Sequence, residues 1–444
     1  MTDQSTRRPT SRAFAVPSGR AARLSHFGSM ATGIAGNMAF NGMRELAQGR
    51  RPALKDLLLT PSNVSRFADQ LARMRGAAMK MGQLISMDTG DVLPPELAAI
   101  MARLRENADH MPPRQLKRVL TDNWGEGWLK QFRRFDVHPI AAASIGQVHR
   151  AETRDGRDLA IKIQYPGVRR SIDSDVDNVV SMVRMAGLVP EGMEIAPLVA
   201  EAKRQLHAES DYQREGAYLA RFAGLLEGEA DYLVPEMQGD LTTSDILSMS
   251  FMPGVPIEDM ATADQATRDR IAGLLIRLVL REVFEFGLIQ SDPNFANYRY
   301  DRARDAVVLL DFGAAMEVDP VMAERYRGLM KAGLDGDDAA VRRMALEIGF
   351  FDDATREDHQ RAVLEMMEIV FASLRVPGPY DFSDTEAVER LRDAGMSMGQ
   401  DREFNHIPPV ATLFLHRKLA GVYLLAHRLR ARTDVRALLD PFLA

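Results

Sequence analysis

The chain has 444 residues, with 56 Lys plus Arg against 62 Asp plus Glu and a net charge of −6. Hydrophobic residues make up 46% and charged residues 27%, the balance of a folded chain rather than a disordered one, with length for roughly two to four domains or one large domain with insertions. So small a net charge argues against non-specific nucleic-acid binding. The absence of cysteine excludes disulfides, thiolate metal sites, iron–sulfur clusters and thiol catalysis.

Residues 1–22 are rich in Ser, Thr, Arg and Pro and read as a disordered basic tail. Arg7, Arg8, Arg12, Arg20 and Arg23 are not followed by the compact apolar core and cleavage site of a secretory signal. Residues 24–43 lack Asp, Glu, Lys and Arg but hold His26, Asn37, Asn41 and four glycines. They read as an amphipathic, small-residue segment rather than a membrane span, and any contact with a membrane surface falls here. A helix is expected over 62–87, where Val64, Phe67, Leu71, Met74, Ala78, Met81 and Ile85 recur at helical spacing. Pro94-Pro95 and Pro112-Pro113 each start a further helix.

The pattern changes near Phe132. Strands are expected over 148–152 and 159–164, joined by a hairpin turn at Arg154-Asp155-Gly156. One long helix is expected from about 197 to 226 and a strand over 246–252, ended by Pro253-Gly254. An apolar helix over 270–286 stops at Gly287, and a short buried strand follows over 307–310. Beyond Asp319-Pro320 the chain reads as almost wholly helical.

The strongest chemical signal is the run Gln290-Ser291-Asp292-Pro293-Asn294-Phe295-Ala296-Asn297, followed by an apolar strand and Asp311-Phe312-Gly313. Protein kinases pair an Asp near the acceptor hydroxyl with an Asn and a second Asp on Mg²⁺ in this order. Phosphoryl transfer needs hard oxygen ligands on the metal and a carboxylate oriented toward the nucleophile. The bland alternative is two turns capped by Asp and Asn. Lys162 stands inside an apolar strand in Leu159-Ala160-Ile161-Lys162, where a lysine is either an edge solubiliser or a phosphate ligand. Upstream, where a Gly-rich phosphate loop would fall, lies Ala141-Ala142-Ala143-Ser144-Ile145-Gly146-Gln147. Alanines there make left-handed conformations costly and stiffen the loop. A phosphate-binding lysine needs a helical glutamate, for which Glu215 is the candidate. Glu209 and Asp211, two residues apart, would diverge by about 200° on a helix. Lys80 and Gln83 sit in the 62–87 helix, where a solvent-facing Lys is the plainer reading.

Together these motifs resemble the UbiB family of atypical protein-kinase-like proteins, in particular the branch supporting coenzyme Q (ubiquinone) biosynthesis. The resemblance covers nearly the whole chain. It rests on Lys80-Met81-Gly82-Gln83, the Ala-rich 141–147 loop, the run from Lys162 to Val168, Glu209-Ser210-Asp211, 290–297 and Asp311-Phe312-Gly313. Arg417-Lys418 and Gly421 also match the family's C-terminal pattern. It implies an α+β, bilobal protein-kinase-like fold. Residues 23–130 would be a helical N-terminal extension, 131–253 the N-lobe with a helical insert, and 254–444 a mostly helical C-lobe.

The resemblance also implies roles. ATP or ADP would bind along Ala141, Ala142, Ala143, Ser144, Ile145, Gly146 and Gln147, with Lys162 on the phosphates, paired with Glu215, and Met252 in the nucleotide-binding set. Asn297 and Asp311 would hold Mg²⁺, and Asp292 would take the catalytic-base position. Lys80 and Gln83 would project over the site, meet Glu209 and Asp211, and obstruct a protein substrate. The implied partners are nucleotide, a membrane lipid or ubiquinone precursor, and other ubiquinone-biosynthesis proteins. The expected location is cytoplasmic and peripheral at the membrane surface.

The His and Arg of the protein-kinase His-Arg-Asp are missing before Asp292. The helix over 410–430 holds His416, Arg417 and Lys418 among its leucines and reads as packed rather than inserted. A helix starts almost directly after Asp-Phe-Gly, leaving no long activation segment for docking a protein. That favours a small or lipid-like substrate, or bare hydrolysis, over protein phosphorylation. The alternatives are a small-molecule or lipid kinase and a nucleotide-binding scaffold.

Overall fold

The computed structural model describes residues 110–143, 145–185, 196–400, 406 and 408–443. The readings for the tail, for 24–43, for the 62–87 helix with Lys80 and Gln83, and for Ser144 lie outside the described residues. Helix α1, Pro113–Trp124, begins at the proline pair as expected. Its Leu116 and Leu120 bury against the adjoining sheet.

That sheet holds β1 (Phe132–Phe135), β2 (Ala141–Ala143), β3 (Gly146–Thr153), β4 (Asp158–Gln164) and, later in the chain, β6 (Ile246–Ser250). The strand order is β1-β3-β4-β6, all antiparallel, with β2 also paired to β3. Ile161 and Ile163 face the core, and the intervening Lys162 pairs across to Val148 and Leu247. The hairpin turn at Asp155-Gly156 forms, with Gly156 at a φ of 92°, a value that favours glycine.

Helix α2 (Val168–Met185) is an element the sequence reading left unplaced. It packs Ile172 and Val176 against Leu206 of α3 (Ala196–Glu209). The expected single helix from 197 to 226 is instead two, α3 and α4 (Tyr212–Leu225), broken at Ser210-Asp211. The reason is local. Asp211 takes extended backbone angles and its carboxylate accepts the Arg214 N–H at 3.1 Å, the N-cap bond that Asp makes better than it propagates a helix. Glu209 and Asp211 therefore flank a break, and the expected divergence along one helix does not apply to them.

The second lobe forms around α5 (Gln265–Phe284), which starts five residues before the expected boundary because Asp264 caps it. A four-stranded sheet in the order β5-β10-β9-β7 joins Tyr232–Leu233, Ala306–Leu309, Tyr298–Asp301 and Val255–Pro256. Strand β8 (Leu288–Gln290) pairs with β11 (Ala315–Glu317). Helices α6 (Pro320–Asp335), α7 (Asp338–Ile348), α8 (Glu357–Arg375), α9 (Glu386–Gln400) and α10 (Val410–Leu429) follow. The core of this lobe gathers Leu275, Leu278, Val307, Phe312, Val422 and Leu425. Helix α10 is packed as expected. Its burial is not what a leucine count suggests, since Lys418 is inside at 1% exposure and Leu419 outside at 39%. Among the described residues, no helix is long and apolar enough to cross a membrane.

Candidate functional site

Strand alternation points Lys162 of β4 inward, toward the first turn of α4, and there its ammonium meets Glu215 at 2.7 and 3.0 Å. The same nitrogen donates to Asp311 Oδ2 at 2.9 Å, across the two lobes. Lys162 is 6% exposed and Glu215 1%. Burial opposes charge on Lys162, but Asp311 and Glu215 outweigh it, and its pKa is raised well above the ordinary lysine value. Burial likewise pushes Glu215 up to about 7, with Lys162 pulling the other way. The Tyr212 ring lies 5.2 Å from the ammonium, within cation–π range.

Asp311 follows β10, and its Oδ1 accepts the Gly313 N–H at 3.0 Å. Phe312 is buried against Phe222 of α4, and this anchoring of the ring leaves the Asp311 carboxylate facing Lys162. Arg214 was not singled out in the sequence, yet it donates from α4 to the carbonyls of Gly313 and Ala315 at 3.0 and 2.6 Å. One helix thus fixes both Lys162 and the backbone after Asp-Phe-Gly.

Asp292 and Asn297 lie on the loop between β8 and β9. Asn297 Nδ2 donates to the Asp292 carbonyl at 3.3 Å, and the Asn297 carbonyl accepts the Leu310 N–H at 3.0 Å. That backbone bond brings Asn297 beside Asp311, and both line one small cavity with Gln290, Phe312 and Lys418. Their amide and carboxylate oxygens are the hard donors Mg²⁺ prefers, with phosphate and water expected to supply the rest. The residues present therefore fit a Mg-nucleotide. The cation missing beside Asp292 in sequence arrives from α10, where Arg417 approaches to 3.8 Å and is itself buried. No local pattern could have joined residues so distant in the chain.

The Ala-rich segment divides. Ala141–Ala143 form strand β2, with Ala141 and Ala142 exposed and Ala143 half-buried. Ile145 is buried in the N-lobe core. Gly146 has no room for a side chain, because a Cβ would overlap the Ile163 carbonyl and the Tyr212 hydroxyl. Gln147 is fully buried in the lobe. Its carbonyl accepts the Met111 N–H at 2.8 Å and its amide bonds His149 at 2.7 Å. Met252 lies half-buried two residues past the end of β6. Glu209 is buried, and Asp211 keeps an ion pair with Arg169 at 3.6 Å besides capping α4.

Residues 103–345 match the model of the ABC1 atypical kinase-like domain. The mitochondrial atypical kinase COQ8 of Saccharomyces cerevisiae is 36% identical over 429 residues, 96% of this chain and 85% of the relative. The mitochondrial atypical kinase COQ8B of Rattus norvegicus is 35% identical, over 95% of this chain and 80% of the relative. A Mycobacterium tuberculosis protein solved as an erythromycin complex overlaps 86% of this chain and 97% of its own, with a TM-score of 0.62 at 23% identity, a likeness of fold. With its Lys162–Glu215–Asp311 cluster held between two kinase-like lobes, the chain belongs to the ABC1 atypical kinase-like family, the UbiB group its motifs resemble.

Proposed function

We propose that this protein binds ATP or ADP with Mg²⁺ and works as an atypical kinase-like ATPase in support of ubiquinone biosynthesis, acting on or beside membrane lipids. The observation that carries the reading is the contact of buried Lys162 with both Glu215 and Asp311, in a chain of this family. Lys162, aimed by Glu215, would meet the α/β-phosphates. Asn297 and Asp311 would hold the metal, which supplies charge neutralisation at the phosphates. Asp292, beside Arg417, would orient the attacking water or hydroxyl. Positioning and electrostatics of this kind supply most of the catalysis in phosphoryl transfer. Glu209 and Asp211, at the helix break beside the site, remain the proposed partners of Lys80 and Gln83.

A second reading, transfer to a small or lipid-like acceptor, is favoured by one feature. Only β11 separates Gly313 from the capped start of α6 at Asp319, so the segment offers no long platform for a protein substrate.

ATP hydrolysis by the purified chain, with Mg²⁺, with and without anionic vesicles, tests the first reading. Hydrolysis should rise with vesicles and fall at least ~100-fold in Asp311→Asn. Unchanged turnover in that variant would refute it. Labelled phosphate recovered in a lipid extract would select the second reading. Full complementation of a deletion strain by both Asp292→Asn and Lys162→Ala would leave a scaffold.

A further inference from the structure

The loop that carries Asp292 and Asn297 is bracketed by Gln290 and Tyr298, and one buried ion pair holds both brackets. Lys418 of α10 and Glu282 of α5 are each 1% exposed, with Nζ 3.2 Å from Oε2. Lys418 donates to the Tyr298 hydroxyl at 2.8 Å, one residue past Asn297. The Glu282 carboxylate accepts the backbone N–H of Gln290, two residues before Asp292. A third contact lies on the same helical face, where a Cβ on Gly421 would overlap Pro293 inside the loop. All four members of the network line the cavity that Asn297 and Asp311 also line.

Stability alone does not account for such a pair. Replacing a buried ion pair by matched neutral residues is often neutral or stabilising, whereas removing one partner is strongly destabilising. What the pair has that an apolar pair lacks is direction, a hydrogen bond to each end of one loop. We propose that Lys418 and Glu282 are positioning residues for the metal-nucleotide site, fixing Gln290 and Tyr298 so that Asn297 stays at its working distance from Asp311. The proposal deepens the Mg-nucleotide reading and rests on it. Such outer supports commonly change metal affinity 10- to 100-fold without touching the ligand.

The test compares wild type with Lys418→Met, with Lys418→Met combined with Glu282→Gln, and with Tyr298→Phe. Thermal unfolding is measured beside the affinity for a fluorescent ADP in Mg²⁺ and in EDTA. Lys418→Met alone should lower Tm by roughly 10 °C, since it strands Glu282. The double variant should recover most of that loss. In the double variant and in Tyr298→Phe, metal-free affinity should hold while the tightening by Mg²⁺ drops about tenfold. A folded double variant with wild-type Mg²⁺ tightening would overturn the proposal, whatever its Tm. Should the double variant not fold, unchanged tightening in Tyr298→Phe would overturn it alone. Absence of Mg²⁺ tightening in wild type would instead refute the functional reading beneath it.

Discussion

At the scale of single residues, Glu215 is a carboxyl group enclosed by protein, raised by burial to about 7. Protonation below that value removes the partner that aims Lys162. The acid limb of kcat/KM for ATP hydrolysis should therefore fall with an apparent pKa near 7, and Glu215→Gln should flatten it. Stability should move the other way. The folded group holds its proton more tightly than the ordinary carboxyl at 4.5. Its contribution is then fully present below pH 4.5 and lost as pH rises through 7. Wild type should gain Tm relative to Glu215→Gln on acidification across that window, and parallel melting curves would contradict this. Lys162, Asn297 and Asp311 were legible because each lies in a short motif whose residue types the chemistry dictates. Arg214 was not, and neither were the partners of Arg417 and Lys418, because each acts on a segment far away in sequence. Lys418, matched with Arg417 to the family's C-terminal pattern, carries no local sign of its partner Glu282 on another helix.

At the scale of elements, the N-lobe hairpin is tied to the chain entering it. His149 bonds the Asp136 carbonyl at 2.7 Å through Nδ1 and Gln147 through Nε2, and Gln147 accepts from Met111. This set requires a neutral ring, donating at Nδ1 and accepting at Nε2. Burial lowers His149 from 6.5 to about 4. Its contribution is present above pH 6.5 and lost as pH falls through 4, a difference on the order of 3 kcal/mol. Wild-type Tm should drop across that interval more steeply than that of His149→Asn, and equal slopes would contradict the link. The strands here were legible from alternation and the Asp-Gly turn. The break at Ser210-Asp211 was not, because a periodicity count does not register a capping aspartate. Helix α2 was legible in principle, since Val168, Ile172, Val176 and Val179 recur at helical spacing and are the residues it buries.

At the scale of the whole molecule, two lobes were what the resemblance of the motifs implied, and the motif residues fall between them. Lys162 and Glu215 come from the sheet side, and Asp292, Asn297 and Asp311 from the helical side. The Lys162–Asp311 contact is the join. What the sequence could not supply is how α10 returns beneath the loop that carries Asp292 and Asn297, because helical packing follows from shape rather than from any motif. Calorimetric titration of the full chain with ADP, in Mg²⁺ and in EDTA, beside Asp311→Asn, tests the site most directly. One nucleotide per chain should bind, tightened by Mg²⁺, with the tightening lost in the variant and the metal-free affinity kept. No binding by the folded wild type, or Mg²⁺ tightening that survives in folded Asp311→Asn, would contradict a metal-nucleotide site at Lys162, Asn297 and Asp311.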